Sequence, residues 1–475
     1  MSKRAAPSLL WFRQDLRLAD NPALAAAIAR DAPMAAVYVL DDDAPGKWKI
    51  GGAARWWLHH SLRSLAKELG QLNIALVLRR GPAEIVIPKL AKEIGAEAIF
   101  WNRCYEPFTV SRDAAIAKAL AKAGVEVQDF PATLLTEPGT VENKSGKPFR
   151  VFTPFARTVL KQAHPDKPKP APRAKQQHVR IESDHLDDWK LLPRHPDWAS
   201  AFGEDWTPGE AGAQDRLETF MEDALGRYPT GRNLPGHEGV SRLSPHLHWG
   251  EISIRQIWHA VELHSGSAAD TYLKELVWRD FAYQLLDQFP ALPDEPFTPR
   301  YAKFPWRKDA KALKAWQKGR TGYPFVDAGM RQLWITGWMH NRVRMVVASF
   351  LVKHLLLPWA EGEAWFWDCL VDADLANNAM NWQWVAGSGA DAAPYFRIFN
   401  PVLQGEKFDK DGAYVRHWVP EIAGLPDKWL HRPWEAPADV LAKTGVTLGK
   451  TYPKPIVDHE TARRQALEAL KTIQK

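Results

Sequence analysis

Asp372–Pro401 reads D-A-D-L-A-N-N-A-M-N-W-Q-W-V-A-G-S-G-A-D-A-A-P-Y-F-R-I-F-N-P. Acids, Asn side chains and two indoles alternate with small residues, ahead of a Gly-Ser-Gly turn and an Arg. A core helix would carry an apolar stripe instead. At helical spacing Asp374, Asn378 and Trp382 recur every four residues and share one face. A carboxylate, an amide and an indole in line suit a planar heteroaromatic ligand with hydrogen-bonding edges. A helix N-cap with scattered aromatics is the simpler reading, and it explains less of the composition.

Working outward, the pattern from residue 207 onward is helical. It predicts helices over 211–225, 250–264, 268–288, 309–318, 325–336, 338–357, 361–371 and 374–386, with no strand patterns. Residues 207–475 therefore read as an α-helical ligand-binding domain. Residues 131–206 lose periodicity and contain K-P-K-P-A-P (Lys167–Pro172), a stiff polar spacer. They read as an interdomain linker. Residues 1–130 alternate strand and helix. Strands are predicted over 8–12, 34–40, 74–78, 96–101 and 125–130, and helices over 22–30, 53–69, 83–94 and 110–123. That alternation predicts an α/β domain, a doubly wound parallel sheet. Its first turn, F-R-Q-D-L-R-L-A-D-N-P (Phe12–Pro22), has no glycine, so it lacks the G-x-G-x-x-G of dinucleotide binding. Asn21-Pro22 is instead a good helix start.

A chain of 475 residues exceeds what one core usually serves. Lys plus Arg outnumber Asp plus Glu by 62 to 56, a net charge of +6, which permits nucleic-acid binding without requiring it. The two cysteines, Cys104 and Cys369, stand far apart and exclude a disulfide scaffold or a Cys-ligated cluster. No apolar leader follows the N-terminal charges, and the most apolar stretch, Met345–Leu357, is interrupted by Lys353 and His354. A cytoplasmic protein without membrane contact is expected. Tryptophan is the outlier: 23, against 10 Tyr and 19 Phe. Each indole brings a donor that needs a partner, so some of the 23 need a reason beyond packing.

Three further patterns bear chemistry. Gly239–Pro245 (G-V-S-R-L-S-P) places hydroxyls, amides and Arg242 at a helix start, which reads equally as an anion site or as a plain Ser-Pro cap. Thr271, Tyr272, Glu275, Trp278 and Arg279 share one helix face opposite Val277, Phe281 and Leu285. Trp338, Asn341, Arg342 and Met345 share another, opposite Val343, Val346, Val347, Phe350 and His354. Arg344 points to a third side, where Asp372 would be its ion-pair partner. His59, His60, His246, His248 and His340 read as structural, because His pairs lacking carboxylate or Cys partners are weak metal signals. No metal site is expected.

Taken in chain order, L-L-W-F-R-Q-D-L-R-L-A-D-N-P (Leu9–Pro22), G-V-S-R-L-S-P-H-L (Gly239–Leu247), K-E-L-V-W-R-D-F (Lys274–Phe281), T-G-Y-P-F-V-D-A-G-M-R-Q-L (Thr321–Leu333), W-M-H-N-R-V-R-M (Trp338–Met345), the opening stretch and Q-G-E-K-F-D (Gln404–Asp409) resemble the DNA photolyase/cryptochrome flavoproteins. The resemblance spans nearly the whole chain. It implies FAD in the helical domain and light-driven splitting of cyclobutane pyrimidine dimers in UV-damaged DNA, by a monomer. It implies that Val240, Ser241, Arg242, Leu243 and Ser244 hold the flavin diphosphate together with Tyr228. Many relatives have Thr at the place of Val240. Tyr272, Arg279, Trp338, Arg344, Asp372 and Asp374 are expected around the flavin, with Asn378 facing its N5. Trp382, Trp359 and Trp306 match the family's electron-transfer chain, with Trp316, Trp365 and Trp367 offering a branch.

For the lesion, the resemblance implies Glu275 and Asn341 on the base edges, Trp278 and Trp384 stacking, and Arg342 and Met345 in the pocket wall. Arg397 and Lys407 would hold flanking phosphates. A cryptochrome photoreceptor is the alternative, but Trp384 and Asn378 stand where plant cryptochromes tend to have Tyr and Asp. A (6-4) photolyase is associated with a His pair where this chain has Asn341 and Met345. A flavoprotein acting on small substrates leaves Arg397, Lys407 and the Trp pair unexplained. G-G-A-A-R-W-W-L-H-H-S-L (Gly51–Leu62) and W-K-L-L-P (Trp189–Pro193) look like bacterial class III enzymes, which are associated with a 5,10-methenyltetrahydrofolate antenna. Tyr105-Glu106 resembles a folate-contacting pair of class I enzymes, without the other residues found with it there.

Overall fold

Ser8–Phe12 (β1) is buried along its whole length, as are Met34–Leu40 (β2) and Ala98–Asn102 (β4). Strands covered on both faces read as continuous apolar runs. In the computed structural model, which describes residues 6–162, 164–173, 175–391 and 396–474, these strands form a five-stranded parallel sheet. Leu76–Arg80 (β3) and Glu126–Phe130 (β5) are its half-exposed edges, and the order is β3-β2-β1-β4-β5. Ser8 pairs with Met34 on one side and Ala98 on the other. Pro22–Ala29 (α1), Gly52–Gln71 (α2), Ala83–Ile94 (α3) and Pro107–Lys122 (α4) provide the crossovers. The doubly wound α/β expectation is met.

The glycine-free first turn has a physical counterpart. The strand order reverses between β1 and β4, where such sheets usually open a ligand crevice. Here it is filled. Asn102 donates to Asp15 (2.6 Å) and Asn21 (2.8 Å), Arg13 reaches the Asn102 carbonyl and Asp113, and Asn21 caps α1 through the Leu24 amide (3.0 Å).

Two strands start two residues later than expected, for one reason. Asn73 and Gly95 are left-handed (φ 59° and 63°). The amides of Ile74 and Ala96 then close onto Leu69 and Ala91 as helix ends, so these apolar residues finish α2 and α3 rather than begin strands.

The chain divides into two compact units, one of Met1–Met221, Ser241–Pro290 and Val371–Ala376, the other of Glu222–Val240, Ala291–Leu370 and Asn377–Lys475. In the first, residues 131–206 carry a helix that the sequence reading missed, Phe152–Gln162 (α5). Phe152, Phe155, Ala156 and Val159 form its buried face, at a spacing that was legible. The helix expected over 250–264 is Ile254–Glu262, started by a Ser253/Gln256 capping box. Ser267–Gln288 follows nearly as expected.

The second unit is helical among its described residues, with one isolated bridge between Leu448 and Tyr452. The helix expected over 338–357 is Asn341–Ser349, capped by His340, and then a wide π-type turn, Phe350–His354. That turn buries Lys353, whose Nζ donates to the Ala386 carbonyl (2.9 Å). Burial holds its pKa well below the usual lysine range. Helices Pro401–Phe408, Ala413–Trp418 and His459–Thr472 were not anticipated.

Candidate functional site

The expected site residues fall in both units. In the first, Ser267–Gln288 carries Tyr272, Glu275, Trp278 and Arg279. Tyr272 and Arg279 are buried, while Glu275 and Trp278 are half-exposed. The Tyr272 hydroxyl donates to Ser241 (3.0 Å), which ties this helix to the Ser241–Pro245 turn. Arg242 sits in the left-handed region (φ 53°), pairs with Asp205 (3.1 Å) and lies over Trp206. Its side chain is an anchor of the turn, and the Ser241 hydroxyl accepts from both Tyr272 and the Leu243 amide. Arg279 donates to the Thr133 carbonyl (2.6 Å), and its buried Nη2 has no hydrogen-bond partner among the described residues.

Asp374 lies one residue before the helix Leu375–Ala386, so the four-residue spacing holds within that helix only for Asn378 and Trp382. Its carboxylate accepts from Tyr283 (2.5 Å) and faces His248 (3.7 Å). Burial would raise its pKa. The nearness of His248, the charge of Arg279 and the bond from Tyr283 outweigh burial and hold it below the usual carboxylate range. His246 likewise meets Glu251 at 2.5 Å. The expectation that these histidines lack carboxylate partners is therefore corrected for His246 and His248: Glu251, five residues on, serves the first, and Asp374, distant in sequence, faces the second. Among the described residues no group of three or more His, Cys, Asp or Glu could hold a metal.

In the second unit, the amide of Asn378 donates to the Glu363 carbonyl (3.0 Å). Trp382 is buried against Phe366 (5.0 Å between centroids) and Trp316 (6.2 Å). A Cβ on Gly362 would lie 2.1 Å from its ring, so the helix Trp359–Cys369 receives Trp382 only because position 362 is glycine. Trp359 starts that helix. Trp306 is half-exposed beside Phe304 (4.3 Å), and the next amide, of Arg307, donates to Leu356, close in sequence to Trp359. Trp316 donates to the Val347 carbonyl. Trp365 stacks with Trp334.

Arg342 donates to Asn233 (2.6 Å) and lies over Phe408, with Met345 Sδ 3.8 Å away. Burial and then the charges of Arg232 and Arg397 lower its pKa. Arg344 donates to the Met339 carbonyl (2.7 Å) and flanks Trp338. It lies in the second unit and Asp372 in the first. Trp384 donates to the Asp391 carbonyl (3.1 Å) and, with Arg397, Arg300, Lys353 and Phe396, lines a cleft of about 90 Å³. Lys407 sits in the last turn of Pro401–Phe408. Tyr228 is buried, with Arg232 over its ring, and Val240 is half-buried. Gly239 packs on Gly231 with no room for a Cβ. The sequence reading missed Glu363, Tyr283 and Phe152. A main-chain acceptor such as that of Glu363 has no side-chain signature, and Tyr283 and Phe152 looked like ordinary core.

The description "FAD binding domain of DNA photolyase" matches residues 272–472, and "DNA photolyase" matches residues 8–173. A deoxyribodipyrimidine photo-lyase of Agrobacterium fabrum is 51% identical over 480 residues, covering all of both chains. Cryptochrome-1 of Arabidopsis thaliana is 38% identical over 98% of this chain and 70% of its own. A bacterial class III photolyase structure from Agrobacterium tumefaciens matches with a TM-score of 0.97 and 50% identity, over 100% of this chain and 99% of that one. Full-length identity of this order, joined to the parallel sheet and the helical second half, places the chain in the DNA photolyase/cryptochrome family as an FAD-binding member.

Proposed function

We propose that this chain is a deoxyribodipyrimidine photolyase that repairs cyclobutane pyrimidine dimers in UV-damaged DNA under blue light. The observation that carries the reading is the cleft where Trp384 and Arg397 meet. An indole for a base and a guanidinium for its phosphate are what an extruded nucleotide needs. Arg342, whose pKa burial and the charges of Arg232 and Arg397 lower, adds positive charge for a phosphate backbone.

The residues fit a flavin nucleotide. Arg279 keeps a buried, unpartnered Nη2, and the Gly231–Gly239 approach fixes the backbone ahead of Ser241. Tyr228, the 240–244 turn, Tyr272, Arg279, Trp338, Arg344, Asp372, Asp374 and Asn378 would hold it. A bound, reduced flavin would supply the light-driven one-electron chemistry that opening the dimer needs. Glu275 and Asn341 hydrogen-bond the base edges, and Glu275 stabilises the dimer once it carries the extra electron. Trp278 and Trp384 stack on the bases, beside Arg342 and Met345, and Arg397 and Lys407 hold flanking phosphates. Trp306, Trp359 and Trp382 would form the path along which electrons reach a bound flavin.

A folate antenna completes the proposal; the filled crevice between β1 and β4 argues for a seat elsewhere. We place the working division at 1–130, 131–206 and 207–475, and the enzyme in the cytoplasm as a monomer. No helix among the described residues is long and apolar enough to cross a membrane.

The test is repair of a cyclobutane thymine dimer in an oligonucleotide by reduced protein under blue light, beside a (6-4) substrate. Repair of the first alone is expected. Absence of both would favour a cryptochrome, and repair of the (6-4) product would overturn the lesion assignment.

A further inference from the structure

Phe152 and Trp278 lie face to face, with ring centroids 3.4 Å apart and planes 8° apart. They come from α5 and from the helix Ser267–Gln288, separated by more than a hundred residues. Phe281 meets the edges of both rings at 5.8 Å, and Phe155 closes on Phe281 at 5.3 Å. Phe152, Phe155 and Phe281 are buried; Trp278 remains half-exposed. One face of the Trp278 indole is thus occupied and its edge is held. Its two side-chain torsions are restricted by α5, a helix in the segment that looked like linker.

We propose that Phe152 is a positioning residue for the lesion: by stacking on Trp278 it fixes the indole plane and leaves one oriented face for a flipped base. The proposal rests on reading Trp278 as a lesion-stacking residue. An unbacked indole would sample several rotamers and lose that freedom on binding. Ordering one such side chain in advance amounts to roughly three- to tenfold in affinity.

The experiment measures Kd for a dimer-containing and an undamaged oligonucleotide with full-length, FAD-loaded protein. It compares wild type, Phe152→Leu, Phe152→Met, Phe152→Tyr, Trp278→Ala and the Phe152→Leu/Trp278→Ala double variant. Flavin absorbance and melting temperature report folding. Phe152→Leu and Phe152→Met are expected to weaken lesion binding about three- to tenfold, leaving undamaged DNA binding unchanged, and Phe152→Tyr to restore it. With Trp278→Ala already present, Phe152→Leu should cost nothing more. If Trp278→Ala weakens lesion binding while both Phe152 variants bind like wild type, or if the Phe152 cost persists in the double variant, the proposal falls and the reading of Trp278 stands. If Trp278→Ala itself leaves lesion affinity unchanged, both fall.

Discussion

Trp382 shows how a single residue can be legible in type and obscure in use. Its place one turn after Asn378 was readable from helical spacing. Its neighbours were not, because Gly362, Phe366 and Trp316 reach it through tertiary packing. If Trp382 is the first donor to the flavin, Trp382→Phe should abolish most light-driven reduction of oxidised FAD. Repair by chemically reduced protein should continue. The measurement is the absorbance change of FAD under blue light. Wild-type kinetics would remove Trp382 from the relay, or show Trp316 serving in its place. Asp374 teaches the complementary lesson: sequence spacing joined it to Asn378, whereas its partners Tyr283 and His248 come from elsewhere.

At the scale of elements, periodicity found most helices and all five strands of the described chain. The errors cluster at ends, where local capping competes with hydrophobic pattern. Ile74 and Ala96 were read as strand because they are apolar, yet they close helix ends behind left-handed residues. Helix α5 was missed because prolines and lysines further along colour the whole stretch as linker. Close approach of two helices also leaves little trace in a pattern. Pro324–Thr336 meets Asn341–Ser349 at Gly329, where a Cβ would lie 2.4 Å from Val343 Cγ1 and 3.0 Å from Val347 Cγ1. Gly329→Ala gains about 1 kcal/mol of helix propensity but overpacks a core at a cost of about 1–3 kcal/mol. The expected outcome is a net loss of up to about 2 kcal/mol, read as a lower urea midpoint at unchanged slope. A midpoint equal to or above wild type would show that the two helices can separate freely.

For the whole molecule, buried titratable groups set the response to acid. Burial pushes His340 down to about 3, with Arg342, Arg344 and Arg232 adding to it, and burial with His459 nearby does the same for His354. Both therefore stay neutral in the fold below the ordinary value of 6.5. Their contribution is complete above pH 6.5 and is lost progressively toward pH 3, as the unfolded chain takes up protons the folded chain refuses. Carboxylates raised by burial work oppositely: Glu68, pushed up to about 7 with Glu210 adding to it, Asp280, pushed up to about 6, and Asp287, Asp327 and Asp409 in the same direction, while His60, pushed down to about 4 by burial, and His59 and His459 side with His340 and His354. Melting temperature should fall as pH drops from 6.5 to 4. In His354→Asn the fall should be shallower. An equal slope in that variant would show that His354 does not carry the effect.

The order in which the chain builds its two compact units has its own consequence. Residues 222–240, 291–370 and 377–475 make one of them, and the intervening stretches return to the other. Neither unit corresponds to an uninterrupted piece of gene. No single break in the coding sequence releases either one whole, and a ribosome that has passed residue 221 has not yet made all of the first. Fragment complementation, domain grafting and truncation are therefore poor tools for this protein, and point substitution is the natural way to dissect it.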